Sequence, residues 1–242
     1  MNLCIDQGNS RTKIGIFNHD VLVEFAIFDM FGLPEISELF TQFKIKACIL
    51  SSVVTENEQF LLNLRDRCPN LIVLSHLTHV PIQNSYSTPE TLGKDRLAAV
   101  IGASFLKPNT DILVIDAGTA ITYDFIDSKS VYRGGNIAPG LDMRLRSLHE
   151  FTQKLPLVQA QVESPELGND TQSALISGAL YGIVYEIDGY INTLKIKYPQ
   201  LSVFLTGGST FYFDTKLKNA IFAERNLVLI GLNRILQYNV QK

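Results

Sequence analysis

Leu3-Cys4-Ile5-Asp6-Gln7-Gly8-Asn9-Ser10 stands at the head of the chain, and Leu113-Val114-Ile115-Asp116-Ala117-Gly118-Thr119-Ala120 repeats its pattern near the middle. Each is an apolar run ending in Asp-x-Gly and small polar residues, followed by a second strand-like run, Thr12 to Phe17 and Ile121 to Ile126. The pattern predicts a β-hairpin whose turn carries a carboxylate and bare backbone, with room for an anion against the turn N–H groups. Asp-x-Gly alone is ordinary turn chemistry. Its recurrence predicts an ancestral duplication into two similar domains, 1–109 and 110–242, with a cleft between them as the expected ligand site. Two such turns facing each other would suit a metal-bound polyphosphate.

Composition sets the remaining bounds. The 242 residues are 46% hydrophobic and 19% charged, which describes a globular chain and excludes a disordered one. A net charge of −3 without any Lys/Arg run argues against nucleic-acid or anionic-membrane partners, so a phosphate site must be local. Met1 leads directly into a strand with no signal-like region, and no apolar run approaches the roughly 18 residues a bilayer demands, so a cytoplasmic protein is expected. Cys4, Cys48 and Cys68 are widely spaced in apolar or helical contexts and read as reduced structural thiols.

Strands are expected near Asn2–Asp6, Thr12–Phe17, Leu22–Ile27, Ala47–Ser51 and Leu71–Leu74, with helices over Pro34–Phe43 and Glu56–Arg67. Val80 to Thr91 is rich in Pro, Ser, Thr and Asn and reads as a loop, placed to form a substrate wall before a helix that starts at Gly93 or Lys94. The second half repeats the programme with strands Ile112–Asp116, Ile121–Asp127 and Val131–Arg133. A Gly-rich turn over Gly134–Gly140 is expected next, then a helix carrying Leu141, Leu145 and Leu148. Thr171 to about Ile196 forms a long helix whose Ala174, Gly178 and Gly182 invite close helix packing. Leu201–Leu205 is a strand ending in Thr206-Gly207-Gly208, and Leu227–Leu236 a last helix. The whole predicts an α/β fold with mixed sheets covered by helices.

The residues that can carry chemistry cluster at these turns. Asp6 can hold or orient the ligands of Mg²⁺, and Lys13 stands where a cation meets a phosphate, although a solvated strand lysine is an equal reading. Asp116 with Gly118 and Thr119 forms the opposing turn, and Gly207-Gly208 offers a further close backbone approach. Asp95, in the first turn of a helix, is commonly there for the helix dipole. An anion in that place can also take the proton of a substrate hydroxyl, and Arg96 beside it can clamp a carboxylate or phosphate.

In order along the chain, Asp6-x-Gly8-Asn9-Ser10-x-x-Lys13, Gly93-x-Asp95-Arg96, Asp116-x-Gly118-Thr119-Ala120-x-Thr122, Gly134-Gly135-x-Ile137-x-Pro139-Gly140-Leu141, Leu155-Pro156, Asn169-Asp170-Thr171 and Thr206-Gly207-Gly208 resemble the motifs of type III pantothenate kinases. The resemblance covers essentially the whole chain. It implies two duplicated ribonuclease-H-like (actin-like ATPase) domains of the acetokinase, sugar kinase, Hsp70 and actin superfamily. It implies a transferase in coenzyme A biosynthesis: a homodimer that moves the γ-phosphoryl of ATP to the 4′-hydroxyl of pantothenate, with Mg²⁺ and a monovalent cation, K⁺ or NH₄⁺.

By motif position the resemblance makes Asp95 the general base, and Tyr86, Gly93, Lys94, Asp95, Arg96 and Thr171 the substrate-binding residues. It makes Asp6, Gln7, Gly8, Asn9, Ser10, Arg11, Thr12, Lys13 and Thr119 the nucleotide contacts, and Asp116 the monovalent-cation ligand. Taken alone, Tyr86 reads as a loop aromatic and Thr171 as a helix N-cap. Ser10 replaces the usual Thr, Thr88 the common Asn, and Gln153 a small residue, without removing a proposed chemical group. The competing functions are a kinase of the same fold acting on a sugar or acetate, and a catalytically silent regulatory or filament-forming relative.

Overall fold

The computed structural model describes residues 1–8, 11–29, 32–54 and 58–240, so Asn9 and Ser10 of the first turn and the expected helix start at Glu56 lie outside the described residues. The chain forms two compact units: Met1–Pro108 with Ser130–Tyr132 and Asn226–Lys242, and Asn109–Lys129 with Arg133–Arg225.

In the first unit, β1 (Asn2–Gln7) pairs antiparallel with β2 (Thr12–Asn18), which pairs antiparallel with β3 (Val21–Phe28). Helix α1 (Leu33–Gln42) leads to β4 (Ala47–Ser52), parallel to β1, and α2 (Glu58–Arg67) leads to β5 (Leu71–Val73), parallel to β4. The sheet order is therefore β3-β2-β1-β4-β5. Leu3, Ile5, Ile14, Ile16, Cys48 and Leu50 pack with Ile36, Leu39, Phe60 and Leu64 of the two helices on one face. Strand alternation sends Asn2, Cys4, Asp6, Ile49 and Ser51 to the other face. All six residues of β4 are buried, as a strand covered on both sides requires. Past β5, the short β6 (Gln83–Asn84) and a 3₁₀ turn at Pro89–Thr91 lie inside the expected loop, and α3 (Lys94–Leu106) follows.

The second unit runs β7 (Ile112–Ala117), β8 (Ala120–Ile126), β9 (Val131–Pro139, whose first two residues group with the first unit), α4 (Leu141–Glu150), α5 (Thr171–Lys197), β10 (Ser202–Thr206) and β11 (Phe222–Ala223). β7 is antiparallel to β8 and parallel to β10, which is parallel to β11; β6 is a sixth strand beyond β9, and the other five run in the order β9-β8-β7-β10-β11. That is the order of the first sheet with the same strand senses around the central hairpin, so the duplicated ribonuclease-H-like α/β frame is present twice. Leu113, Ile115, Tyr123, Val203 and Leu205 pack against Leu141, Leu145, Leu180, Ile183 and Ile187 of α4 and α5.

Helix α6 (Leu227–Val240) closes the first unit against α3. A Cβ at Gly231 would fall 1.8 Å from the Ala98 carbonyl oxygen and one at Gly102 2.3 Å from that of Leu227, so the two helix backbones touch and only glycine fits.

Two expectations change. The Gly-rich stretch continues β9 through Pro139 instead of turning. A Cβ at Gly135 would fall 2.0 Å from the Tyr123 carbonyl oxygen, so this glycine serves close backbone approach within a strand. The small residues of α5 divide: Gly182 faces α4, where a Cβ would lie 3.7 Å from the Arg144 guanidinium, while Ala174 and Gly178 are exposed and a Cβ at Gly178 would meet nothing within 4 Å among the described residues. Among the described residues no helix is long and apolar enough to cross a membrane.

Candidate active site

In the first unit the hairpin register fixes the surroundings of Asp6. It stands opposite Lys13 on β2 and opposite Ser51 on β4, so all three side chains share one face of the sheet. Ser51 is fully buried, and its hydroxyl has no hydrogen-bond partner among the described residues. Gly8 N–H donates to the Arg11 carbonyl at 3.0 Å across the turn. Gln7 accepts from the Ser52 hydroxyl at 3.0 Å, tying the exits of β1 and β4 together. Thr12 is buried, while the Arg11 guanidinium pairs at 3.0 Å with Asp29 on the surface.

The start of α3 gathers the acceptor-side candidates. Gly93 is the N-cap, and its carbonyl accepts from Leu97 N–H at 3.1 Å. Asp95 is half-buried in the first turn, with Oδ1 accepting from Arg96 N–H at 2.9 Å. Lys94 reaches back to donate to the Ser52 carbonyl at 3.1 Å, so its ammonium anchors α3 to the end of β4. Arg96 is 6% exposed. Its guanidinium donates to the Tyr132 hydroxyl at 3.3 Å and stands 5.8 Å from the centre of the Tyr86 ring. A cavity of about 300 Å³ lies beside this helix start, lined by Ser75, His76, Asn84, Glu90 and Lys94 among others.

In the second unit Asp116 stands opposite Thr122 on β8 and Thr206 on β10. The Thr122 hydroxyl is buried without a hydrogen-bond partner among the described residues. The turn is tighter than the first, closed by Gly118 N–H to the Ala120 carbonyl at 3.1 Å, with Thr119 at its tip. Gly207 joins this cluster with φ at +103°, and a Cβ there would fall 2.5 Å from both Asp116 Oδ1 and the Ala117 carbonyl. Only glycine both adopts that backbone and leaves the carboxylate its place.

Thr171 is the exposed first residue of α5, but the N-cap is Asp170, whose carboxylate accepts from Ser173 N–H at 3.0 Å. Those hydrogen bonds hold the Asp170 carboxyl below its ordinary range. Deeper in the unit Tyr123 donates to Glu186 at 2.7 Å, and Arg144 pairs with the same carboxylate at 2.6 Å. Burial first, and then Glu186, push the Tyr123 phenol well up, so it stays a donor.

The oxygen sets around the two aspartates, carboxylate with hydroxyl, are the donor type of hard cations such as Mg²⁺ and K⁺. An unsatisfied buried hydroxyl costs about 1–3 kcal/mol, so Ser51 and Thr122 carry a cost that a bound ion or its water would relieve. Sequence reasoning missed Ser51 and Tyr132, whose partners lie far off in the chain. The one available signal was position, Ser51 ending the strand beside Asp6 and Tyr132 preceding the paired glycines.

Residues 2–193 match the family model of type III pantothenate kinase. The chain is 51% identical over 240 residues, 99% of each chain, to the type III pantothenate kinase of Phocaeicola vulgatus. In fold it is similar to a conserved Baf family protein from Campylobacter jejuni, at 24% identity and TM-score 0.62 over 99% of this chain and 100% of that one. It is also similar in fold to an inorganic polyphosphate/ATP-glucomannokinase of Arthrobacter, at 14% identity and TM-score 0.50 over 98% of both chains.

Proposed function

This chain belongs to the type III pantothenate kinase family and phosphorylates pantothenate in coenzyme A biosynthesis, and we propose that Asp95 is the base that takes the proton of the 4′-hydroxyl. The observation that carries this reading is the start of α3, where Asp95 stands next to the buried Arg96 and the Arg96 guanidinium faces the Tyr86 ring. Asp95 aligns the hydroxyl for in-line attack on the γ-phosphorus of ATP, and a weak, well-placed base suffices for so loose a transition state. Arg96 and Tyr86 hold the acceptor, with Gly93, Lys94 and Thr171 as further contacts. Residues 6–13 and Thr119 bind the nucleotide.

Asp6, with the Ser51 hydroxyl beside it, is the place for Mg²⁺; Asp116, with Thr122, is the place for a monovalent cation, K⁺ or NH₄⁺. A bound divalent cation supplies charge neutralisation on the phosphates. The protein works as a cytoplasmic homodimer. The dimer is supported by the open face of α5 at Ala174 and Gly178 and by Leu167, which is 87% exposed just ahead of that helix.

The test is an acceptor panel. Purified protein with ATP, Mg²⁺ and K⁺ is offered pantothenate, hexoses and acetate, and products are identified by mass. Phosphopantothenate as the main product, formed faster with K⁺ than without, supports the reading. A phosphorylated sugar or acetyl phosphate replaces it with another kinase of this fold, and no product with any acceptor points to a silent relative.

A further inference from the structure

Tyr132 lies outside the motifs at the hairpin turns and the α3 start, yet it contacts the buried Arg96 guanidinium there. A guanidinium that is 6% exposed needs partners that fix it. The Tyr132 hydroxyl accepts from it at 3.3 Å, and the Tyr132 and Tyr86 rings stack with centres 6.1 Å apart and planes 22° from parallel. The phenol is itself immobile. Tyr132 is fully buried, its carbonyl accepts from Ser85 N–H at 3.1 Å, and β6 pairs in parallel with Val131 and Tyr132. Tyr86 is held by the same segment, its N–H donating to Asn84 Oδ1 at 3.0 Å. One hydroxyl on the edge of the guanidinium and one ring against its face define the plane of the fork. A planar donor fork recognises a carboxylate by orientation, which a point charge cannot do.

We infer that Tyr132 is a positioning residue that orients the Arg96 guanidinium toward the carboxylate of pantothenate, so that it sets the preference for the acid over a neutral acceptor. The inference rests on the reading that the Gly93–Arg96 segment binds pantothenate. Removing only the hydroxyl keeps the ring and its packing while taking one hydrogen bond from the fork.

The experiment is steady-state kinetics of the whole protein and of Tyr132→Phe with two acceptors that carry the same 4′-hydroxyl, pantothenate and its primary amide. The KM for pantothenate is expected to rise about 3- to 10-fold, the value of one hydrogen bond, with kcat within twofold and the KM for the amide unchanged. The acid-over-amide preference then falls by the same factor. Equal changes with both acceptors would make Tyr132 a mere packing residue, and no change would remove it from recognition; either overturns the inference. Arg96→Lys keeps the charge without the fork and must lose the same preference, which keeps the test decisive should Tyr132→Phe fold poorly. Wild-type protein that phosphorylates other acceptors but not pantothenate would instead overturn the reading beneath the inference, and the inference with it.

Discussion

Asp6 and Asp116 hold the same place in two copies of one hairpin, each central in its sheet with an antiparallel neighbour on one side and a parallel neighbour on the other. Their cross-strand partners differ. Asp6 has Lys13 and Ser51; Asp116 has Thr122 and Thr206, with Gly207 against its carboxylate. The first setting joins a carboxylate to a cation that can meet a phosphate, and the second offers carboxylate and hydroxyl oxygens alone. The difference teaches that duplication supplies the frame, while the two cross-strand partners in each copy set the surroundings of its aspartate.

Between the two hairpins, the largest expected effects come from Asp6 and Asp116 themselves. Asp6→Asn should lower kcat by about 10²- to 10³-fold, the scale of losing one charge-organising group, and raised Mg²⁺ should recover part of it. Asp116→Asn should cost about 10-fold and be relieved by raised K⁺ but not by Mg²⁺. Rates measured over a two-way titration of both ions check this, and identical responses of the two variants would erase the proposed division of labour.

A smaller contrast lies between Lys13→Met and Thr122→Val. The first should raise the KM for ATP about 10-fold, and the second should leave it within twofold while weakening activation by K⁺. Equal effects on ATP would show that the neighbours do not distinguish the hairpins.

The smallest effect belongs to the second unit's helix cap. Asp170→Ala should lower Tm slightly at pH 7. Because Ser173 holds the Asp170 carboxyl below its ordinary value, this stability is present above the unfolded carboxylate range and fades as pH falls through it. Thermal melts from pH 7 to pH 3 should therefore show the difference between variant and wild type shrinking toward acid.

The duplicated hairpins, α3 and α5 were legible because strand alternation and helical spacing are local signals. The run from Gly134 to Pro139 was misread as a turn because its glycines answer to a neighbouring strand, which a sequence does not display. The exposure of Ala174 and Gly178 on α5 is hidden for a similar reason: small residues look the same in a sequence whether they face a helix or solvent. Within the candidate site, the motif order gave Asp6 and Asp116 at the exits of β1 and β7, and Asp95 in the first turn of α3. Ser51 and Tyr132 were hidden, since their meaning comes from pairing with Asp6 and Arg96 across long stretches of chain. The cap of α5 shows the finest grain, where Asp170 holds the role that Thr171 alone suggested.

The proton-accepting role of Asp95 is most directly tested in Asp95→Asn, which removes the charge and keeps the shape. Turnover of pantothenate should fall by about 10²- to 10⁴-fold while calorimetric binding of pantothenate and ATP stays within a few-fold of wild type. Near-normal formation of phosphopantothenate by the variant would contradict the account.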